Sequence, residues 1–92
     1  MIIRIPTEGQ FRVDDQLTGQ LNDFDNQLVA LVERGDDSQF AAVLKQMLDL
    51  VRGKGQRLPD DDLSASTLVL PPADLTFEEA QSLFKGEGLI PG

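Results

Sequence analysis

The side chains available for chemistry in this chain are carboxylates: its 92 residues include sixteen Asp and Glu, eight Lys and Arg, and neither histidine nor cysteine. Nucleophilic hydrolysis needs a base beside the nucleophile, and the serines have no evident partner to activate them. Carboxylates can do acid–base work or hold cations, and Asp60-Asp61-Asp62 is the densest cluster. Counted as a calcium-binding loop from Asp60, however, its sixth and twelfth positions are Ala65 and Pro71, where such a loop needs glycine and glutamate. The cluster therefore reads as a solvated acidic loop that caps a helical turn and holds no metal. Gly53-Lys54-Gly55 lacks the upstream glycine and the following Ser or Thr of a phosphate loop, and reads as a helix terminator. Glu8-Gly9-Gln10 and Glu87-Gly88 are glycine turns that also permit close backbone approach to a partner. No catalytic residue and no cofactor is expected. The alternatives are a small metal-binding domain or enzyme built on Asp60-Asp61-Asp62, and an acidic inhibitor of a basic protein.

The element that must position everything else is a helical hairpin from Asp14 to Arg52. Leu17, Leu21, Phe24, Leu28 and Leu31 fall on one stripe of a first helix, and Phe40, Val43, Leu44, Met47, Leu48 and Val51 on one stripe of a second. Between them Gly35 can take the positive φ of a helix end and Asp36 or Asp37 can cap the next helix, so the two run antiparallel. The first helix is expected to start at Asp14 or Asp15, with Gly19 allowing close approach of another backbone. The second ends at Arg52-Gly53-Lys54-Gly55, where a glycine is expected to form a left-handed cap. Val29 with Val32 would give one arm an exposed apolar edge for a partner's helix.

Ile2 to Ile5 and Phe11 to Val13 predict a β-hairpin, with Ile3 and Ile5 facing the helices, Arg4 facing solvent and Gly9 in a conformation that a Cβ disfavours. Thr67 to Leu70 predict a third strand, buried on both faces and stopped by Pro71-Pro72. Thr76 and Glu79 have capping-box spacing, which predicts a short helix from Phe77 to about Lys85 with Phe77, Ala80, Leu83 and Phe84 inward and Gly86 as its C-cap. Leu89 and Ile90 would then return to the core. The fold class is α+β: an antiparallel helical hairpin packed on a small, about three-stranded sheet, plus a short C-terminal helix, in one domain over residues 1–92.

A formal net charge of -8 repels phosphates, so direct binding to nucleic acid or to an anionic bilayer is not expected, whereas a basic protein surface would be attracted. No segment has the length and apolarity of a transmembrane helix or a signal peptide, which predicts a soluble, cytoplasmic protein.

Met1-Ile2-Ile3-Arg4-Ile5 followed by Glu8-Gly9-Gln10-Phe11-Arg12-Val13, then Leu68-Val69-Leu70-Pro71-Pro72-Ala73-Asp74, then Gly86-Glu87-Gly88-Leu89-Ile90-Pro91-Gly92, resembles the PspAA family, small proteins associated with phage-shock protein A. The resemblance implies a non-enzymatic adaptor or regulatory partner of a PspA-type membrane-remodelling coiled-coil protein in the bacterial membrane-stress response. It would be peripheral at the inner face of the membrane only through that partner. Glu8, Gly9, Gln10, Leu70, Pro71, Pro72, Gly86, Glu87 and Gly88 are the candidate partner-binding residues, because they carry the resemblance without evident need in a minimal core.

Overall fold

The β-branched N terminus pairs as its alternation requires. In the computed structural model, which describes residues 1–59, 61–62 and 65–84, strand β1 (Ile2–Ile5) runs antiparallel to β2 (Gly9–Arg12) with Ile3 opposite Phe11 and Ile5 opposite Gly9. Ile3 and Ile5 are fully buried under the helices, while Arg4 lies exposed on the other face. Two further short strands complete a sheet of order β3-β2-β1-β4. The two-residue β3 (Gln56–Arg57) pairs antiparallel with β2, and β4 (Leu68–Val69) runs parallel to β1. Among the described residues the sheet thus has four strands rather than about three. Gln56 and Arg57 are both exposed, so no apolar alternation announces β3. Placement of β4 at the edge also corrects the expectation of burial on both faces: Leu68 is half-buried and Val69 is 52% exposed. The strand ends before Pro71-Pro72, which have no N–H to extend a ladder.

The hairpin comprises α1 (Thr18–Arg34) and α2 (Asp37–Lys54). Asp14 caps a single 3-10 turn, Asp15–Leu17, by accepting from the Gln16 N–H, so the regular helix begins at Thr18 rather than at Asp14 or Asp15. Gly35 ends α1 at φ 71° and ψ 25°, the left-handed geometry expected of it, and Asp36 caps α2 by accepting from the Gln39 N–H. The other end of α2 differs from expectation. Gly55 has φ -87°, so no left-handed glycine closes the helix; a Cβ there would lie 2.5 Å from the Val51 carbonyl oxygen, and close approach is the reason for glycine. Gly19, conversely, has open space where a Cβ would sit, so no neighbouring backbone requires it.

Leu21, Leu28, Leu44, Met47, Leu48 and Val51 are at most 2% exposed and form the core with Ile3, Ile5 and Val13. A fully buried Leu or Met of this kind contributes about 1.5–3 kcal/mol by transfer from water. Helix α3 (Phe77–Leu83) opens with the capping box: the Thr76 hydroxyl accepts from the Glu79 N–H at 3.1 Å, and Glu79 accepts from the Thr76 N–H at 3.0 Å. Phe77 and Phe84 make edge-to-face contacts with Phe40 at 5.9 and 5.6 Å, seating α3 on the start of α2. Leu83 is 44% exposed, so it does not turn inward with Ala80 and Phe84. Gly86 and the Leu89-Ile90 pair lie outside the described residues. Val32 is buried and Val29 half-buried against the core, so they form no exposed apolar edge.

Candidate partner-binding surface

Parallel pairing brings two of the candidate segments to one end of the sheet. β1 delivers the chain into the turn Pro6-Thr7-Glu8, while β4 leaves beside it, with the Leu70 N–H donating to the Arg4 carbonyl at 2.9 Å, before Pro71-Pro72 turns away. Within the turn the Glu8 N–H donates to the Ile5 carbonyl at 3.0 Å. Thr7 occupies the third position with φ 71°, a left-handed conformation that costs a β-branched residue on the order of 1–2 kcal/mol. Gly9 follows at φ 114°, which satisfies the expectation that only glycine fits comfortably there.

Two arginines hold this turn. Arg52, in the last turn of α2, donates through Nε to Glu8 Oε1 at 2.7 Å and through a guanidinium N–H to Oε2, a two-point contact in which both side chains are about one-third exposed. Arg52 also donates to Asp49 at 2.9 Å. The Arg52 hydrogen bonds hold the Glu8 carboxyl below the usual carboxylate range, against the opposing effect of burial, and Glu8 in turn raises the Arg52 guanidinium above its ordinary value. Arg57 donates through Nε to the Glu8 carbonyl at 3.1 Å.

The remaining candidates divide by burial. Gln10 is 8% exposed, and its side-chain amide donates to Ser66 Oγ at 2.8 Å, fastening the segment that crosses from β3 to β4 onto the outer face of the sheet. Leu70, 1% exposed, packs in the core, and Pro71 is buried. Glu8 and Pro72 retain partial exposure. Gly86, Glu87 and Gly88 lie outside the described residues. Asp60 does too; Asp61 is exposed and Asp62 half-buried, and no group of three or more potential metal ligands occurs among the described residues.

Sequence reasoning missed Arg52, Arg57 and Ser66 as supports of this end, because each partner lies 44 to 56 residues away and no periodicity links them. It also missed Asp25, a fully buried carboxylate on the core face of α1 whose polar atoms are nonetheless engaged. Its place between Leu21 and Leu28 on the stripe was the available signal. Among the described residues no helix is long and apolar enough to cross a membrane.

Comparison with curated proteins and with solved structures gives no match. The family model for PspAA, described as PspA-associated protein, matches residues 1–92. The chain belongs to the PspAA family of PspA-associated proteins.

Proposed function

We propose that this protein is a non-enzymatic adaptor that binds a PspA-type coiled-coil protein directly and reaches the membrane only through it, at its cytoplasmic face. The observation that carries this reading is the family match over residues 1–92, since association with PspA is what the family's description states. The charge of -8 supports the indirect route, because an acidic surface is repelled by anionic lipid and attracted by basic protein. The lack of histidine and cysteine supports a role without covalent chemistry. At the end of the sheet, Glu8 and Pro72 present surface for a contact, with Gly9, Gln10, Leu70 and Pro71 shaping the backbone beneath them; Gly86, Glu87 and Gly88 complete the set of residues proposed for it.

Surface plasmon resonance against the PspA of the same genome tests this. Direct binding is expected, with a rise in salt slowing association more than it speeds dissociation, since charges steer encounter while apolar contact holds the complex. Absence of binding at low salt contradicts the proposal.

A further inference from the structure

Charge is unevenly laid out on this acidic chain. Residues 52–57 carry Arg52, Lys54 and Arg57 and no carboxylate, and antiparallel pairing of Arg12 with Gln56 adds a fourth cation from β2. Four of the eight basic residues thus meet where α2 runs into β3. The tight seat of Gly55 draws this corner together: a Cβ there would lie 3.1 Å from the Val13 side chain and 3.2 Å from that of Phe11, the two chain neighbours of Arg12, so the backbone that follows Lys54 lies against the strand that carries Arg12. Of the carboxylates close to these residues in sequence, Glu8 and Asp49 both accept from Arg52, Asp14 accepts from the Gln16 N–H, and Asp15 pairs with the Met1 amine at 2.9 Å. Arg12 and Lys54 are exposed and make no ion pair among the described residues.

We infer that this corner, centred on Arg12 and Lys54, docks an acidic segment of the partner protein, whose carboxylates pair with these two cations. This deepens the adaptor reading and rests on it for the partner's identity. The fold already shows the recognition chemistry at the same corner: Arg52 holds the Glu8 carboxylate through two nitrogens although both side chains are about one-third exposed. A partner's carboxylate at Arg12 or Lys54 would meet the same kind of charged donor with no internal group to displace. Charges that serve only to keep an edge strand from pairing stand on that edge. Arg12 stands one strand in from β3 and Lys54 precedes it, so edge protection leaves both unexplained. An anionic bilayer fits the corner less well than a protein segment does. A bilayer is broad and would bring much of the surface of a chain of charge -8 close to its own negative charge, whereas a single segment meets the cations alone. The sign of this contact is therefore opposite to that of the chain as a whole.

The test uses the full chain and the purified PspA of the same genome. Arg12 and Lys54 are exposed, so R12E/K54E reverses the corner without entering the core, and R12Q/K54Q removes its charge alone. Both should give cooperative circular-dichroism melts. Affinity for PspA should fall at least tenfold in R12E/K54E and several-fold in R12Q/K54Q, and the gap from the unaltered chain should narrow as salt is raised. Lys45→Glu, which alters an equally exposed and unpaired lysine of α2 far from the corner in sequence, should leave affinity within twofold. If overall charge alone governed the contact, every one of these changes would leave binding to a basic partner unchanged or tighter. Undiminished or tighter binding by both corner variants, with the unaltered chain binding, therefore overturns the inference and leaves the adaptor reading standing. No binding by the unaltered chain overturns both. Two further results also overturn the inference: the unaltered chain pelleting with anionic vesicles in the absence of PspA while R12E/K54E does not, which gives the corner to lipid, and sedimentation showing the unaltered chain as a dimer and R12E/K54E as a monomer, which gives it to a second copy.

Discussion

Along α1 and α2 position is set by side chains that water rejects: Leu21, Leu28, Leu44, Met47 and Leu48 are buried at regular intervals, and the intervals alone define the packing. At the β1–β2 turn it is set by groups that water competes for, namely the Glu8–Arg52 pair, the Arg57 hydrogen bond to the Glu8 carbonyl and the backbone of Thr7 and Gly9. The first kind of order is cooperative and rests on burial of apolar surface. The second is local, ionic and adjustable, which suits a surface that meets a partner more than a core that holds the fold.

The contrast breaks most sharply in the hairpin. Leu44→Asp places a charge at a site 2% exposed, which costs several kcal/mol against a total of about 5–15 kcal/mol for a domain. Thermal denaturation followed by circular dichroism should show no cooperative transition; a sharp, unshifted melt would refute the assigned core. Gly9→Ala acts on the turn instead. At φ 114° an alanine costs on the order of 1–3 kcal/mol, and the atoms nearest its Cβ would be those of the Arg57 guanidinium, the closest at 3.4 Å. The variant should stay folded with a lowered midpoint, and amide exchange should accelerate in Glu8 to Arg12 while α1 and α2 keep their protection.

The smallest effect is the most diagnostic of the ionic end. Because Arg52 lowers the Glu8 carboxyl in the folded state, this pair stabilises fully above the ordinary value of 4.5 and loses that contribution as pH falls through the lower, folded value. Glu8→Gln should therefore be less stable than the unaltered protein near neutrality, by about 1 kcal/mol or less given the exposure of both partners. The two melting curves should converge as pH falls below 4.5 and through the lowered, folded value. Glu79, held low by the Thr76 N–H and hydroxyl, titrates in both proteins and cancels from the difference. A gap that persists at low pH would show that Glu8 acts through its shape and not its charge.

The same division explains what could be read in the residues. Stripes at steps of three and four located both helices, the alternation of Ile3 and Ile5 oriented β1, and Thr76 with Glu79 marked the start of α3, since each depends on near neighbours in sequence. β3 was illegible because a two-residue edge strand made of Gln56 and Arg57 buries nothing. β4 was legible as a strand but not as an edge, because burial of Leu70 beside exposed Val69 depends on pairing with β1 sixty-five residues away. At the candidate surface Glu8-Gly9-Gln10 was recognisable as a turn, whereas its arginine clamp and the anchoring of Gln10 by Ser66 are products of topology. Leu70 and Pro71 drew notice as possible contacts, and their burial gives them a place in packing as well.

Partner-dependent membrane attachment is the central claim, and co-sedimentation with liposomes tests it most directly. With vesicles containing anionic phospholipid at physiological salt, the protein alone should remain in the supernatant, and addition of PspA from the same genome should carry it into the pellet. Sedimentation of the protein without PspA, or its retention in the supernatant while PspA pellets, would contradict the account.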